Sequence, residues 1–125
     1  MRARSRKGVA GLEVWWKARE MVVCVYPLSF RFPAYESYAL SAQLRRAATS
    51  VTLNIAEGYG RKYVGDYRRS VSHAIGSCTE VETALITAID LGYVQEDDVA
   101  ESMDHVDRVS RMLNGLFNSL KERPS

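Results

Sequence analysis

The chain is poor in the residues that most often carry chemistry, with two cysteines and two histidines among 125 residues. Cys24 and Cys78 form no CxxC pair and sit among apolar neighbours. They read as core thiols of a reducing cytoplasm, with a disulfide between them as the alternative. No Glu-x-x-His pair is present, because Ser70 stands three before His73 and Ser102 three before His105. A di-metal carboxylate bundle needs such pairs, so no metal and no cofactor are expected. Glu101 and His105 are one helical turn apart and could touch one ion, but two ligands on an acidic face read as a solvated pair. The serines lack a strand-turn-helix elbow and neither cysteine has a base evident in the sequence, which points away from an enzyme. The GYG at Gly58 to Gly60 lacks the Walker pattern and reads as a turn.

Long apolar runs are missing too. The longest, Met21 to Tyr26, is far short of the roughly 20 residues that cross a bilayer. The opening MRARSRK is followed by glycines and charges instead of an apolar segment, so no export is expected. Repeats and low-complexity core segments are also absent. At this length one domain can bury close to roughly two-thirds of its unfolded surface without a metal or disulfide staple.

What the sequence does have is helical period. In the central stretch from Leu40 to Lys62, Leu44, Ala47, Ala48, Val51, Ile55 and Gly58 fall on one stripe, which predicts a helix with one buried side. It should end near Glu57, with Gly58 and Gly60 free to take positive φ. Ser37 or Ser41 could cap its start. Leu53 projects to the opposite side, between Arg46 and Glu57. Before it, Leu12 to about Phe30 shows a broad apolar stripe with Trp15, Ala18, Val22, Val25 and Tyr26. Pro27 predicts a kink or an early stop there. A third helix is expected from about Asp66 to Leu91, stopped by Gly92. A fourth opens at Gln95 to Asp98, with carboxylates at the positive end of its dipole, and carries Val99, Met103, Val106, Val109, Leu113, Phe117 and Leu120. These readings give an all-α fold, an antiparallel up-and-down four-helix bundle over residues 12–123, behind a mobile basic arm at 1–11.

Net charge is +2, but residues 1–75 carry +8 and residues 76–125 carry −6. Such polarity suits internal pairing or a basic face for an anionic partner. Arg45 with Arg46, Arg61 with Lys62, and Arg68 with Arg69 form three basic doublets around one predicted helix hairpin. Tyr59, Tyr63 and Tyr67 are interleaved with them, a mixture able to hold phosphates and stack bases. The plainer reading is solvated charge paired with Glu57, Glu80 or Glu82, with Tyr67 in the core.

At Gln43 to Lys62, QLRRAATSVTLNIAEGYGRK, the sequence strongly resembles the four-helix-bundle proteins encoded in intervening sequences of bacterial 23S ribosomal RNA genes. LEVWWKA at Leu12 to Ala18, GSCTEVET at Gly76 to Thr83, LGY at Leu91 to Tyr93 and RMLNGL at Arg111 to Leu116 extend the likeness. Three departures are local: Thr52 where proline is frequent, Tyr63 where serine is frequent, and Pro27 where an ordinary helix former is usual. The resemblance implies a cytoplasmic bacterial protein. It also reaches the accessory variability protein of diversity-generating retroelements, a ring-shaped homopentamer that engages nucleic acid and a reverse transcriptase. By that likeness, Arg45, Arg46, Arg61 and Lys62 would contact nucleic acid.

Together these readings lead to a non-enzymatic homo-oligomer, a pentamer by resemblance, that binds RNA or DNA through a basic surface repeated around a ring. Leu53, Trp16, Ile75 and Ile86, apolar but off the main stripes, would lie at the subunit contact. The alternative is a protein-binding scaffold whose arginines pair between subunits with Glu80 and Glu82.

Overall fold

The computed structural model describes residues 8–121. Within them the chain forms four long helices: α1 (Glu13–Ser29), α2 (Leu40–Tyr59), α3 (Val64–Asp90) and α4 (Glu96–Lys121). No strand occurs among the described residues. Each helix packs on two neighbours, α1 on α2 and α4, and α3 on α2 and α4, with no close backbone approach across either diagonal among the described residues. Cross-helix contacts show each pair to be antiparallel. Ser50 of α2 meets Ser77 of α3 while Gly58 meets Ser70, and Cys24 of α1 meets Ser102 of α4 while Arg31 meets Asp98. The result is an up-and-down bundle with two distinct ends. One end holds the tight α2–α3 turn; the other holds the α1–α2 and α3–α4 connections.

The stripes of α2 to α4 form the core as expected, whereas on α1 the buried face is Val14, Ala18, Met21, Val25 and Leu28, with Trp15, Val22 and Tyr26 only half-buried. Leu44, Ala48, Val51 and Ile55 of α2 face Val71, Ala74, Val81 and Leu85 of α3, and all are fully buried with Met21, Val25, Val109, Leu113 and Leu120. Met103, Phe117 and Tyr67 pack on this core while keeping an exposed edge. The α2–α3 seam is built from small residues, Ala47, Ser50, Gly58, Ser70, Ser77 and Ala84, so the two backbones approach closely. At Gly58 an added Cβ would stand 2.8 Å from Ser70 Cβ and 3.2 Å from the Tyr67 carbonyl oxygen.

Gly58 is therefore required for space and not for a turn, which corrects the expectation of positive φ. Gly60 also has an ordinary φ of −81°. Positive φ does occur at Gly92, at +79°. There α3 ends as expected, and the Tyr93 N–H reaches back to the Ala88 carbonyl to satisfy a terminal acceptor. The N-terminus of α2 also differs from expectation. Neither Ser37 nor Ser41 caps it; Glu36 Oε1 accepts from Leu40 N at 3.1 Å, because a short 3-10 turn at Ala34–Glu36 brings that carboxylate under the helix.

Pro27 lies inside the last turn of α1, which stops two residues later. With Thr52 in place of proline, α2 runs unbroken to Tyr59. Tyr63 precedes α3 without a side-chain cap. Of the arm expected at 1–11, residues 1–7 lie outside the described residues, as do 122–125 at the other terminus. Gly8–Gly11 is not free chain but a 3-10 turn packed on α1 and α2. Trp16 Nε1 donates to its Ala10 carbonyl at 2.7 Å.

Candidate nucleic-acid interface

The three basic doublets all lie on the α2–α3 hairpin, but they do not gather at one place. A rise of 1.5 Å per residue puts about 21 Å of helix axis between Arg45 and Tyr59, so the Arg45–Arg46 doublet stands toward the connection end. Arg61, Lys62, Arg68 and Arg69 cluster at the α2–α3 turn. Lys121 ends α4 at the same end of the bundle.

Arg45 is engaged within the chain. Its Nη1 donates to Ser29 Oγ at 3.0 Å and its Nη2 to the Ser37 carbonyl at 3.2 Å, while the guanidinium lies 5.0 Å from the Phe30 ring centroid. It ties the start of α2 to the end of α1. Arg46 is exposed and lines the groove between α2 and α3 with Leu53, Glu57 and Glu80. It has no ion-pair partner among the described residues.

At the turn end the pairing is local. Arg61 bonds Glu57 one helical turn back, and Arg69 Nη1 lies 3.9 Å from Asp66. Both pairs are solvent-facing, a setting in which an ion pair contributes about 0–1 kcal/mol and yields easily to a phosphate. Lys62 Nζ sits 5.6 Å from the Tyr63 ring centroid. Arg68 is half-buried beside Tyr63, Gly65 and Phe117 and has no ion-pair partner among the described residues. Tyr63 is 58% and Tyr59 40% exposed. Tyr59 stands edge-on to Tyr67, which is half-buried against the core.

Both ends of the bundle carry both signs of charge, with Arg31, Arg45 and Arg46 at the connection end and Glu57 and Asp66 at the turn end, but the balance differs between them. Asp90, Glu96, Asp97 and Asp98 lie at the connection end, the basic cluster and Lys121 at the other. The helix α4 shows this within itself, with three carboxylates in its first turn and Lys121 in its last.

The four residues expected at a subunit contact divide. Leu53 is 65% and Ile86 45% exposed. Trp16 and Ile75 are half-buried: Trp16 holds the Ala10 carbonyl and lies 4.5 Å from the Arg19 guanidinium, and Ile75 packs on the core. Sequence reading missed the most exposed aromatics, Tyr38, Tyr35 and Phe30. They occupy the α1–α2 connection, where no helical period marks a face.

Sequence reading also placed Cys24 in the core. The structure puts it half-buried on the α1–α4 side, whereas Cys78 is buried, and both are free thiols. Cys24 lies beside Glu101 and His105 of α4, making the one group of three or more potential ligands among the described residues. No described helix is long and apolar enough to cross a membrane.

The model of the 23S rRNA-intervening sequence protein family matches residues 10–115. No curated protein matches the chain. The fold is similar to the crystal structure of a protein of unknown function from the S23 ribosomal protein family of Bacteroides thetaiotaomicron, with a TM-score of 0.77 at 20% identity. That likeness covers 83% of this chain and 97% of the other. The family match takes in all of α1, α2 and α3 and most of α4, and so the chain belongs to the 23S rRNA-intervening sequence protein family.

Proposed function

We propose that this chain is a non-enzymatic, self-associating bundle that holds RNA or DNA at its α2–α3 turn. The observation that carries the reading is the gathering of Arg61, Lys62, Arg68 and Arg69 around the exposed Tyr63 and Tyr59. Flexible cations neutralise phosphates without reading sequence, while an exposed ring offers a stacking face to an unpaired base. Self-association repeats the weak site, and avidity then raises affinity without new contacts. Of the four residues expected at a subunit contact, Leu53 and Ile86 are the exposed ones.

A second reading is favoured by one observation. Arg46 shares the α2–α3 groove with Leu53 and Glu80, so the groove is equipped for a protein contact in which Arg46 pairs with a carboxylate of another copy. Under that reading the chain is an oligomeric scaffold.

The deciding experiment is light scattering of the full chain, followed by titration with a structured RNA and a DNA duplex over a salt series. Nucleic-acid binding should weaken with a log–log slope near −0.9 per neutralised phosphate on duplex. Replacing Arg68 and Arg69 by alanine should flatten that slope and leave the oligomer whole. If instead neither nucleic acid binds at low salt, and Arg46→Glu dissociates the oligomer, the scaffold stands and the binding reading falls.

A further inference from the structure

The groove between α1 and α4, about 860 Å³ in volume, contains a side-chain cluster that the nucleic-acid reading does not use. We propose that Cys24, Glu101 and His105 bind a zinc-class divalent ion that bridges α1 and α4 and keeps one coordination position open to the groove.

The first support is the donor set. One thiol sulfur, one carboxylate oxygen and one imidazole nitrogen lie within 4.8 Å of one another. In a tetrahedral shell with metal–sulfur near 2.3 Å and metal–nitrogen or metal–oxygen near 2.0–2.1 Å, neighbouring donors stand about 3.3–3.6 Å apart. The second support is rigidity. Glu101 and His105 are four apart on α4 and share a face, and Cys24 comes from the facing antiparallel helix. Ser102 Oγ, on a side chain only 1% exposed, lies 3.2 Å from Cys24 Sγ and so orients the sulfur from behind. Such an outer partner is what a metal ligand needs to stay aimed.

The third support is the place of the cluster in the groove. On α4 the lining carries Asp98, already paired to Arg31, and Glu101, whose carboxylate is left for a cation. On the α1 side Val22, Val23, Pro27 and Leu28 line the groove beside Arg19 and Arg31. An ion here would thus have Glu101 to hold it and hydrocarbon along part of the facing wall. A thiol nucleophile served by His105 is the competing chemistry. It fits less well, since the thiol's hydrogen-bond partner is Ser102. Burial pushes the thiol up from its ordinary value, the Ser102 hydrogen bond opposes that rise, and the Glu101 carboxylate adds to it, a net shift that is the reverse of activation.

Cobalt(II) is the probe, because a cysteine thiolate on cobalt gives a charge-transfer band in the near ultraviolet that imidazole and carboxylate do not. Tag-free full-length protein, stripped with chelator, is titrated with cobalt(II) chloride and then challenged with zinc chloride. The expected result is one cobalt per chain, a thiolate band, and its bleaching by one equivalent of zinc. Cys24→Ser abolishes the band and Cys78→Ser leaves it unchanged. Loss of an outer-shell partner alone lowers metal affinity about 10–100-fold, so Glu101→Gln and His105→Gln each weaken cobalt binding by at least about tenfold. Circular dichroism of each variant confirms that the bundle is intact. No thiolate band in the wild type, or a band that survives Cys24→Ser, overturns the proposal. So does a band that disappears equally in Cys78→Ser.

Discussion

The two ends of the bundle use similar side chains to opposite effect. At the connection end, polar groups bridge residues distant in sequence. Tyr93 Oη donates to Glu36 Oε2 at 2.7 Å, Arg31 reaches Asp98 at 3.2 Å, and Arg45 holds both Ser29 and Ser37. Beneath them Phe32 is buried against Tyr93, with ring centroids 5.8 Å apart. At the turn end, the ion pairs join residues three or four apart, Arg61 to Glu57 and Arg69 to Asp66. Long-range pairs must be broken to unfold the protein. Local pairs on an exposed helix contribute little and leave their cations available. One end thus ties distant parts of the chain together, and the other leaves its cations facing solvent.

The sharpest break in this contrast is Phe32→Ala against Tyr63→Ala. Losing a buried phenylalanine costs about 3–5 kcal/mol, whereas an exposed substitution stays within about 0.5 kcal/mol. Urea denaturation should show the first midpoint fall steeply and the second hardly move. Gly58→Ala comes next. Its Cβ would press on Ser70 Cβ and the Tyr67 carbonyl, and overpacking of this kind costs about 1–3 kcal/mol. An unchanged melting temperature would mean that the α2–α3 seam has slack. Glu36→Ala removes the α2 cap and the Tyr93 partner together, and loss of a cap costs on the order of 1 kcal/mol. It should lower stability with no change in nucleic-acid affinity.

Acid should loosen the connection end in particular. The Gln95 backbone N–H, and after it the Arg31 guanidinium, hold the Asp98 carboxyl below its ordinary value against the opposing effect of burial. A depressed carboxyl contributes stability above its unfolded pKa, near 3.9 for aspartate, and that contribution disappears as pH falls through the folded value. Asp98→Asn should therefore lower the melting temperature modestly at neutral pH and converge with the wild type in acid, which flattens the acid limb of the profile. The smallest effect concerns the thiols. Burial pushes Cys78 up to about 12, so an alkylating reagent at neutral pH should label Cys24 and leave Cys78 untouched until the protein unfolds, as mass spectrometry would show.

Sequence periodicity located the helices and their core stripes well. The residues it misjudged show the limits of a one-dimensional pattern. Gly58 reads as a helix stop in sequence and proves to be a point of close approach, because Ser70 and Tyr67 stand opposite it across the turn. Ser37 and Ser41 have the right chemistry for a cap, but the 3-10 turn places Glu36 there instead. Arg45 resembles Arg46 in sequence, yet it points back to Ser29 while its neighbour faces the α2–α3 groove, since adjacent helical positions differ by about 100°.

The spacing of apolar residues at 3.6 per turn determined by itself that the chain is a four-helix bundle and which stripe of α2, α3 and α4 is buried. Hydrophobic burial acts along one helix face, and that face is written in local order. Tertiary structure alone decided that Cys24 of α1 meets Ser102, Glu101 and His105 of α4. That outcome depends on antiparallel packing that brings residues 77 or more apart in sequence into contact, and no local pattern encodes such a meeting.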